Sequence, residues 1–493
     1  MSLSAALSTS VSALAAFQTQ TRLLSANVGN AQNENYTRKV ATLTTPGIDG
    51  LPGAPLISTI TRVAAKDVQQ DHYNALSDYG RLKTATDLTQ GLADIIDATN
   101  TDGSQPELAA LLSRFEDSWK TLEANPESAA AAENAIRRGQ DLVLKINQLN
   151  ARQTELRTRA DEQAEAAVQT INTASVEIQK LNVQITAALG AGQPTGDLED
   201  LRDQQVRRIA DLVDVRVLTN DRGELSVYTT GGIQISGTVA QQFTYNRSST
   251  TTAGTITYQG STNSLNSGIL NGSLRAALDY LDPTDAALNS TDPNVGTLAK
   301  YANQLDAFAY NLVTLVNNAY AGAENRVPAP TPAEGTEFFT AFTAAETGFE
   351  AQSLTINADL LTGAASLKVL AAGPIQQAMR TTLITAADIN RSGVTDNTGG
   401  AQSNGLAINN VNLFGLVDGI MAYTARATDV NQVNRDSAER VEHTLDQKYR
   451  NLTGVDIDTE LATLQVLQNN YAAMANVLNA ITRMFDEVIT IGR

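Results

Sequence analysis

Apolar residues at the start of the chain recur in alternating steps of four and three: Leu3, Leu7, Ser10, Leu14, Phe17, Thr21, Leu24 and Val28. This spacing is an a/d heptad seam on one helix. The remaining surface is mostly Ala, Ser, Thr, Gln and Asn, and Arg22 is the only charged side chain before Glu34. A helix almost without charge on any face suits protein surroundings better than water. The C-terminus carries a matching seam in Leu464, Leu467, Tyr471, Met474, Leu478, Ile481, Phe485 and Val488, and residues 461–482 hold no charge at all. The two seams predict that the chain ends pair as a coiled coil. The alternative is a lone amphipathic helix packed at each end of a globular domain. Without a partner for its seam such a helix has little to hold it, so the ends are expected to stay disordered until assembly.

Between the ends the pattern is mainly helical. Leu108, Leu111, Leu112, Phe115, Trp119 and Leu122 form one stripe, which makes Trp119 a core residue rather than a ligand contact. Asn125 followed by Pro126 reads as a helix cap and first turn. From there helical spacing runs through Ile146, Leu149, Leu156, Ile171, Ile178 and Ile185 to the Gly/Pro segment 190–196, with Gly139 as a possible interruption. Unbroken, this helix is about 60 residues and about 90 Å long, a length that suits a rod. The period then changes to two. Val213, Val215, Val217, Leu225, Val227, Ile233, Ile235, Phe243, Tyr245, Ile256 and Tyr258 alternate with polar residues around the turns 220–223 and 231–232, which predicts an antiparallel meander. Residues 248–252 are expected as an exposed Ser/Thr loop. Helix resumes at 274–281, 295–320 and 413–450, separated by expected loops at 327–336 and 388–409 and a short strand or turn unit at 354–361. The fold class is therefore mainly α with a smaller antiparallel β part: paired terminal helices, an elongated helical-bundle rod and a β tip. The implied division is 1–34 with 453–493 as the terminal coiled coil, 35–212 with 274–452 as a discontinuous rod, and 213–273 as the β domain.

Composition narrows the function classes. The 493 residues are enough for two to four domains. Aromatics make up 5%, so a single large aromatic core is not expected. A formal net charge of −18 repels nucleic acid and anionic membranes. The chain has no cysteine, which removes disulfides, thiolate nucleophiles and most zinc sites. No stretch approaches the ~20 apolar residues of a membrane span. The apolar start lacks the basic region of a cleaved signal, so none is expected.

Candidate chemistry is sparse. His72 and His443 stand alone in helical surroundings and read as surface residues, too few for a metal site. The segment 190–196 has glycines, but at the wrong spacing for a dinucleotide loop and after a helix rather than a strand. Residues 388–393 imitate half of a calcium loop, but Gly399 stands where the bidentate Glu belongs. Asp197, Glu199, Asp200 and Asp203 form an acidic cluster. It is better read as the start of a helix spanning 198–209, with Arg202, Arg207 and Arg208 as available partners, than as a catalytic pair. No cofactor or metal is expected.

Two motifs carry a resemblance. Residues 24–30, with Asn27 and Asn30, followed by Asn35, Tyr36, Thr37 and Arg38, resemble the N-terminal motif of flagellar rod, hook and hook-associated proteins. Asn35 stands where that family usually has Gly; Asn is the next best residue for a left-handed backbone. Gly29 stands where the family often has Ala. Residues 453–461 (TGVDIDTEL), then Leu464, Gln465, Asn469, Asn470, Tyr471, Ala473, Ala475, Leu478 and Phe485, resemble the C-terminus of the FlgK family of hook-associated proteins, and 197–204 (DLEDLRDQ) resembles its Asp/Leu-rich segment. The middle, about 219–409, matches only in layout and is short, as if an outer domain were missing.

The resemblance implies a non-enzymatic axial protein at the junction of hook and filament. It implies self-assembly into a ring whose terminal helices line an inner tube, with the hook protein and the second junction protein FlgL as neighbours. It also implies an extracellular place in the flagellum, flagellar type III export without a cleaved signal, and a chaperone, FlgN, covering 464–488. Alternatives are another axial protein (second junction protein, hook protein or flagellin) and a secreted hydrolase using Asp200 and Asp203.

Overall fold

Helix dominates because Ala, Leu, Gln and Glu fill long stretches with apolar residues at helical spacing. The computed structural model describes residues 3–45, 47–48, 51–52, 56–96, 107–288, 290–327, 330–342, 350–385, 388, 406 and 410–491. Over these residues the protein is mainly α with small antiparallel sheets. The half calcium loop and the loop expected at 388–409 lie almost wholly outside the described residues.

The axis is a single helix, Ala129–Gly190, of 62 residues, about 90 Å long. It starts later than Asn125 and Pro126 suggest. Ser128 is its N-cap, accepting from the Ala131 amide at 3.2 Å, whereas Asn125 closes the preceding helix Glu107–Ala124 by donating to the Thr121 carbonyl. A reversal is needed there, because Trp119 and Leu122 on one helix and Ala131 and Ala135 on the next share one core. Trp119 is fully buried, edge-on to Phe338 at 5.2 Å, and Phe338 is edge-on to Phe339 at 4.9 Å. Gly139 does not break the helix. It makes room for this cluster, since a Cβ there would lie 2.8 Å from two ring carbons of Phe338.

One long helix packs against this axis and a second packs on the first. Lys66–Ile96 leads outward and Leu413–Thr453 returns, packed along each other. Helix Thr297–Gly322 buries Leu298, Tyr301, Leu305, Phe308, Leu312 and Val316 against the outer half of the axis. Residues 354–361 form an isolated bridge, Phe339 to Ile356, followed by the short helix Ala358–Thr362.

The meander forms as strands Arg216–Thr219, Leu225–Tyr228 and Gln234–Ser236, followed by the hairpin Phe243–Asn246 and Thr255–Tyr258. It lies beside the inner half of the axis rather than beyond its end as a tip. Val213, Val215, Val227, Ile235 and Ile256 are buried against Ala164, Val168, Ile171, Ala174 and Ile178 of the long helix. Helix amides cap the strands. Asn172 both accepts from the Phe243 N–H (2.8 Å) and donates to its carbonyl (2.9 Å). Gln70 does the same for Val217 and Val215, and Asn182 for Leu225. Each amide supplies a donor and an acceptor where no neighbouring strand stands. The Ser/Thr loop is tied down as well: Asp161 accepts from the Tyr245 hydroxyl at 2.6 Å and the Ser248 amide at 2.9 Å.

Several elements have no counterpart in the sequence reading, among them the helices Lys66–Ile96 and Ala372–Thr381 and a β-ribbon. Strands Lys39–Thr44 and Leu56–Arg62 pair antiparallel, with a register shift between Thr42 and Leu43. Val40, Leu43 and Leu56 are exposed, so the ribbon lacks the one-sided apolar alternation by which strands are recognised.

Replacing Gly by Ala inside a helix ordinarily stabilises by about 1 kcal/mol. At position 139 the sign should reverse. Gly139→Ala drives a methyl into the packed face of Phe338, and thermal unfolding should show a lower midpoint than the unsubstituted protein.

Candidate functional site

The antiparallel register sets Lys39 directly opposite Arg62, and directly opposed residues share one face of a ribbon. The ribbon therefore presents two cations side by side. The helix Gly196–Leu212 presents the complement, because Asp200 and Asp203 are three residues apart and fall on one face. Arg62 contacts Glu199 at 2.7 Å, Asp200 at 3.2 Å and Asp203 at 2.5 Å. Lys39 contacts Asp200 at 2.7 Å and Asp197 at 2.8 Å, and its ammonium lies 3.4 Å from the Tyr36 ring centre. Thr37 donates to Asp200 through its amide (3.2 Å) and its hydroxyl (2.5 Å). Gln69 donates to Asp203 at 2.7 Å. Lys39, Asp200 and Asp203 are all buried.

The partners of the acidic cluster are thus Lys39 and Arg62, not the arginines of its own helix. Arg202 turns away to the Asn182 side chain (2.9 Å) and the Gly223 carbonyl (2.7 Å), and Arg207 donates to the Asn35 side chain. Burial alone would lower the Arg62 pKa, but Asp203, Glu199 and Asp200 outweigh it and raise it. Burial raises the Glu199 carboxyl, but the Thr195 hydroxyl, Arg62 and Arg202 outweigh it and hold it below its ordinary value. Burial, with Asp197, Asp200 and Glu460 nearby, pushes the Tyr36 phenol up to about 12.

A second set of contacts joins this cluster to both chain ends. Asn27, buried near the end of the N-terminal helix Leu3–Gly29, fills every hydrogen-bonding position of its amide. It donates to the Lys39 carbonyl (3.0 Å) and to Glu460 (3.3 Å), and accepts from the Tyr36 hydroxyl (2.8 Å) and the Lys39 amide (3.2 Å). Glu460 lies in the first turn of the C-terminal helix Ile457–Ile491, where negative charge suits the helix dipole. Its side chain is fully buried, and Arg38 donates to it at 2.5 Å. The Arg38 amide donates to the Thr453 carbonyl at 2.7 Å. Asp456 caps the C-terminal helix, accepting from the Asp458 and Thr459 amides. Asn30 donates to the Ala26 carbonyl and closes the N-terminal helix. Asn35 is not left-handed: among the described residues the only non-glycine with positive φ is Asn410. Its side chain instead receives Arg207. Beside the cluster a cleft of about 780 Å³ opens between residues 31–37 and 449–456, with Arg62, Asp200, Asp203 and Arg207 along it.

The terminal helices lie along each other, antiparallel, since Asn27 meets Glu460 and Gln18 donates to the Tyr471 hydroxyl at 3.3 Å. Of the N-terminal seam, Leu24 is buried and Leu3, Leu7, Leu14, Phe17 and Val28 are half-buried; Ser10, Ala13 and Ala16 are buried beside them. Of the C-terminal seam, Leu467 and Ile481 are buried, and Leu464, Met474, Leu478 and Phe485 are half-buried. Tyr471 is 39% exposed and Val488 62%. A second set of apolar side chains on the same pair is uncovered: Val11, Val466, Val477, Met484 and Ile489.

His72 is not a surface residue. The return helix packs over it, and its Nε2 lies 3.1 Å from Glu442; His443 is exposed. Among the described residues no group of three or more His, Cys, Asp or Glu is arranged to hold a metal ion, and no helix is long and apolar enough to cross a membrane.

Residues 93–324 match the family described as flagellar hook-associated protein FlgK, helical domain. The chain resembles FlgK. Flagellar hook-associated protein 1 of Salmonella typhimurium (strain LT2) is 29% identical over 249 residues, which are 47% of this chain and 42% of that protein. The Escherichia coli (strain K12) protein of the same name is 32% identical over 146 residues, 28% of this chain and 26% of that one. The chain thus spans less than half the length of the curated relatives it matches. Among solved structures, the flagellar hook junction protein FlgK from Burkholderia pseudomallei aligns with a TM-score of 0.45 at 21% identity, over 55% of this chain and 47% of that one. The FlgK helical-domain match takes in the acidic side of the cluster, Glu199, Asp200 and Asp203, while Lys39, Arg62 and Glu460 lie outside it.

Lys39, Arg62 and Glu460 were not singled out by sequence reasoning. The signal for Lys39 and Arg62 is the register of an exposed ribbon, and for Glu460 a place inside the segment 453–461 that was read only for its family resemblance. Removing one partner of a buried ion pair typically costs about 3–5 kcal/mol, so Arg62→Met should destabilise by that order in denaturant unfolding at neutral pH. Glu199 has a lowered folded pKa. Its stabilisation is present above the ordinary value of 4.5 and is lost as pH falls through the folded value. The difference between unsubstituted protein and Arg62→Met should therefore shrink in acid.

Proposed function

We propose that this protein is a structural subunit of the bacterial flagellum that joins hook to filament by self-assembly, with no catalysis. The observation that carries this reading is the terminal helix pair. It buries one seam between its own two helices and leaves a second apolar set facing outward. Exposed apolar area of this kind favours association, at roughly 25 cal/mol per Å² covered. In the proposed ring the pair lines an inner tube, and Val466, Val477 and Met484 meet neighbouring copies. The division 1–34 with 453–493, 35–212 with 274–452, and 213–273 fits this: the terminal part assembles, the helical rod spaces it, and the sheets brace the rod.

The proposed neighbours are the hook protein and the second junction protein FlgL. The export chaperone FlgN would cover 464–488 before passage through the flagellar type III route to the cell exterior. The names of the relatives support the place in the flagellum. Asp200 and Asp203 are already held by Lys39, Arg62, Thr37 and Gln69, which favours a structural over a hydrolytic use.

A deletion strain viewed by electron microscopy, with its medium probed for flagellin, tests the placement. Hooks without filaments and flagellin in the medium are expected; normal flagella would overturn it. Val477→Asp, on the outward set, should give a soluble, folded monomer by circular dichroism that fails to assemble. Filaments in a strain carrying that substitution would sink the inner-tube assignment.

A further inference from the structure

The return helix Leu413–Thr453 is one element held in two different ways. Its first half packs on apolar side chains. Leu413, Leu416, Val417 and Ile420 belong to the main core, and Thr424 and Ala427 below them are buried. Asn431 closes this half. It is fully buried and donates to the Thr89 hydroxyl of the outgoing helix Lys66–Ile96 (3.2 Å) and to the Asn294 side chain (2.6 Å). From 432 to 448 no residue is buried. The seam toward the outgoing helix continues through Arg435, Ala438, Glu442 and Leu445, all half-buried, but two of these four carry charge. A helical stretch of this length without a packed apolar face is marginal in water. Below it the helix is held at His72, whose Nε2 lies 3.1 Å from Glu442 and whose ring centre lies 6.3 Å from that of buried Tyr449. It is also held through the Thr453 carbonyl by the Arg38 amide and through Arg450 by Glu34. Arg38 and Glu34 follow the N-terminal helix directly, so while the chain ends are unseated they offer no fixed support.

We propose that in the single chain the return helix peels from the outgoing helix, starting at its C-terminal end, and that Asn431 is the stop. Residues 413–431 stay with the rod, and 432–448 open and close as one unit at a lower energy than global unfolding. Beyond Asn431 each further turn would pull apolar side chains out of the core, which costs far more than parting a polar seam. Asn431 is a positioning residue in this account, since it fixes where opening ends. That the unit closes for good when copies assemble rests on the flagellar reading; the peeling itself does not.

Hydrogen exchange on the full single chain, read by mass spectrometry, tests it. Amides of 433–448 should exchange about a hundred-fold faster than those of 415–430, with the change at Asn431. In Asn431→Ala the fast region should extend to about Thr424, while amides of 416–420 stay slow and report a folded rod. Combining Arg435→Leu with Glu442→Leu makes the seam apolar and should slow exchange of 433–448 about ten-fold. Uniform protection from 415 to 448 in the unsubstituted chain overturns the peeling. Fast exchange running up to Leu416 in that chain overturns the stop, as does an unmoved boundary in Asn431→Ala. Loss of protection at 416–420 in Asn431→Ala would mean that Asn431 holds the whole rod, and overturns its role as a stop. Unaltered exchange in the double variant overturns the polar seam as the cause.

Discussion

Two carboxylates on one face of the helix Gly196–Leu212, Asp200 and Asp203, sit where water hardly reaches them, and a buried carboxylate without a cation is costly. Helix geometry puts them there: the acidic face is turned inward at the point where the long axis ends. Their own arginines face other partners. Charge balance therefore has to come from Lys39 and Arg62, more than a hundred residues away in sequence. That requirement pins the exposed ribbon to the rod, the ribbon sets Thr37 and Arg38, and those residues seat both chain ends. Remove the acids and the ribbon has little reason to stay, since an isolated two-stranded hairpin is marginal in water.

The rest of the molecule separates tasks by chemistry. Apolar packing builds the rod, from the Phe115, Trp119 and Phe338 cluster in its outer half to the Val and Ile contacts with the sheets in its inner half. Amide side chains finish the sheets where no strand is available. Charge is concentrated at the base, where three segments distant in sequence converge. Packing can hold a rod at many slightly different rotations, whereas directional charged contacts select one.

Most of the long helices were legible from the chain because their apolar spacing is long and regular; Lys66–Ile96, whose buried face mixes Ala, Ser, Thr and Gly with few large apolar residues, was not. The terminal seams, the stripe through Trp119 and the long axis all follow from period alone. The strands around Val215 and Val227 were legible for the same reason at period two. What was hidden depends on tertiary neighbours. The ribbon carries apolar residues on more than one side, so it shows no clean alternation. His72 looks like a surface residue until the return helix covers it. The start of the long axis is set by Ser128 instead of Asn125 because Trp119 and Ala135 must meet. At the site, the family turn could be read from residues 35–38, but Lys39 and Arg62 become partners only through strand register, which no local pattern encodes.

A single helix of 62 residues also works as a lever. Tilting it by one degree at its base displaces the far end by about 1.6 Å over its length of about 90 Å, half the width of a side-chain contact. Any subunit that must meet neighbours at both ends therefore has its tolerance set at the fulcrum, not along the shaft. A few charged contacts near residue 200 therefore decide where the far end of the shaft stands.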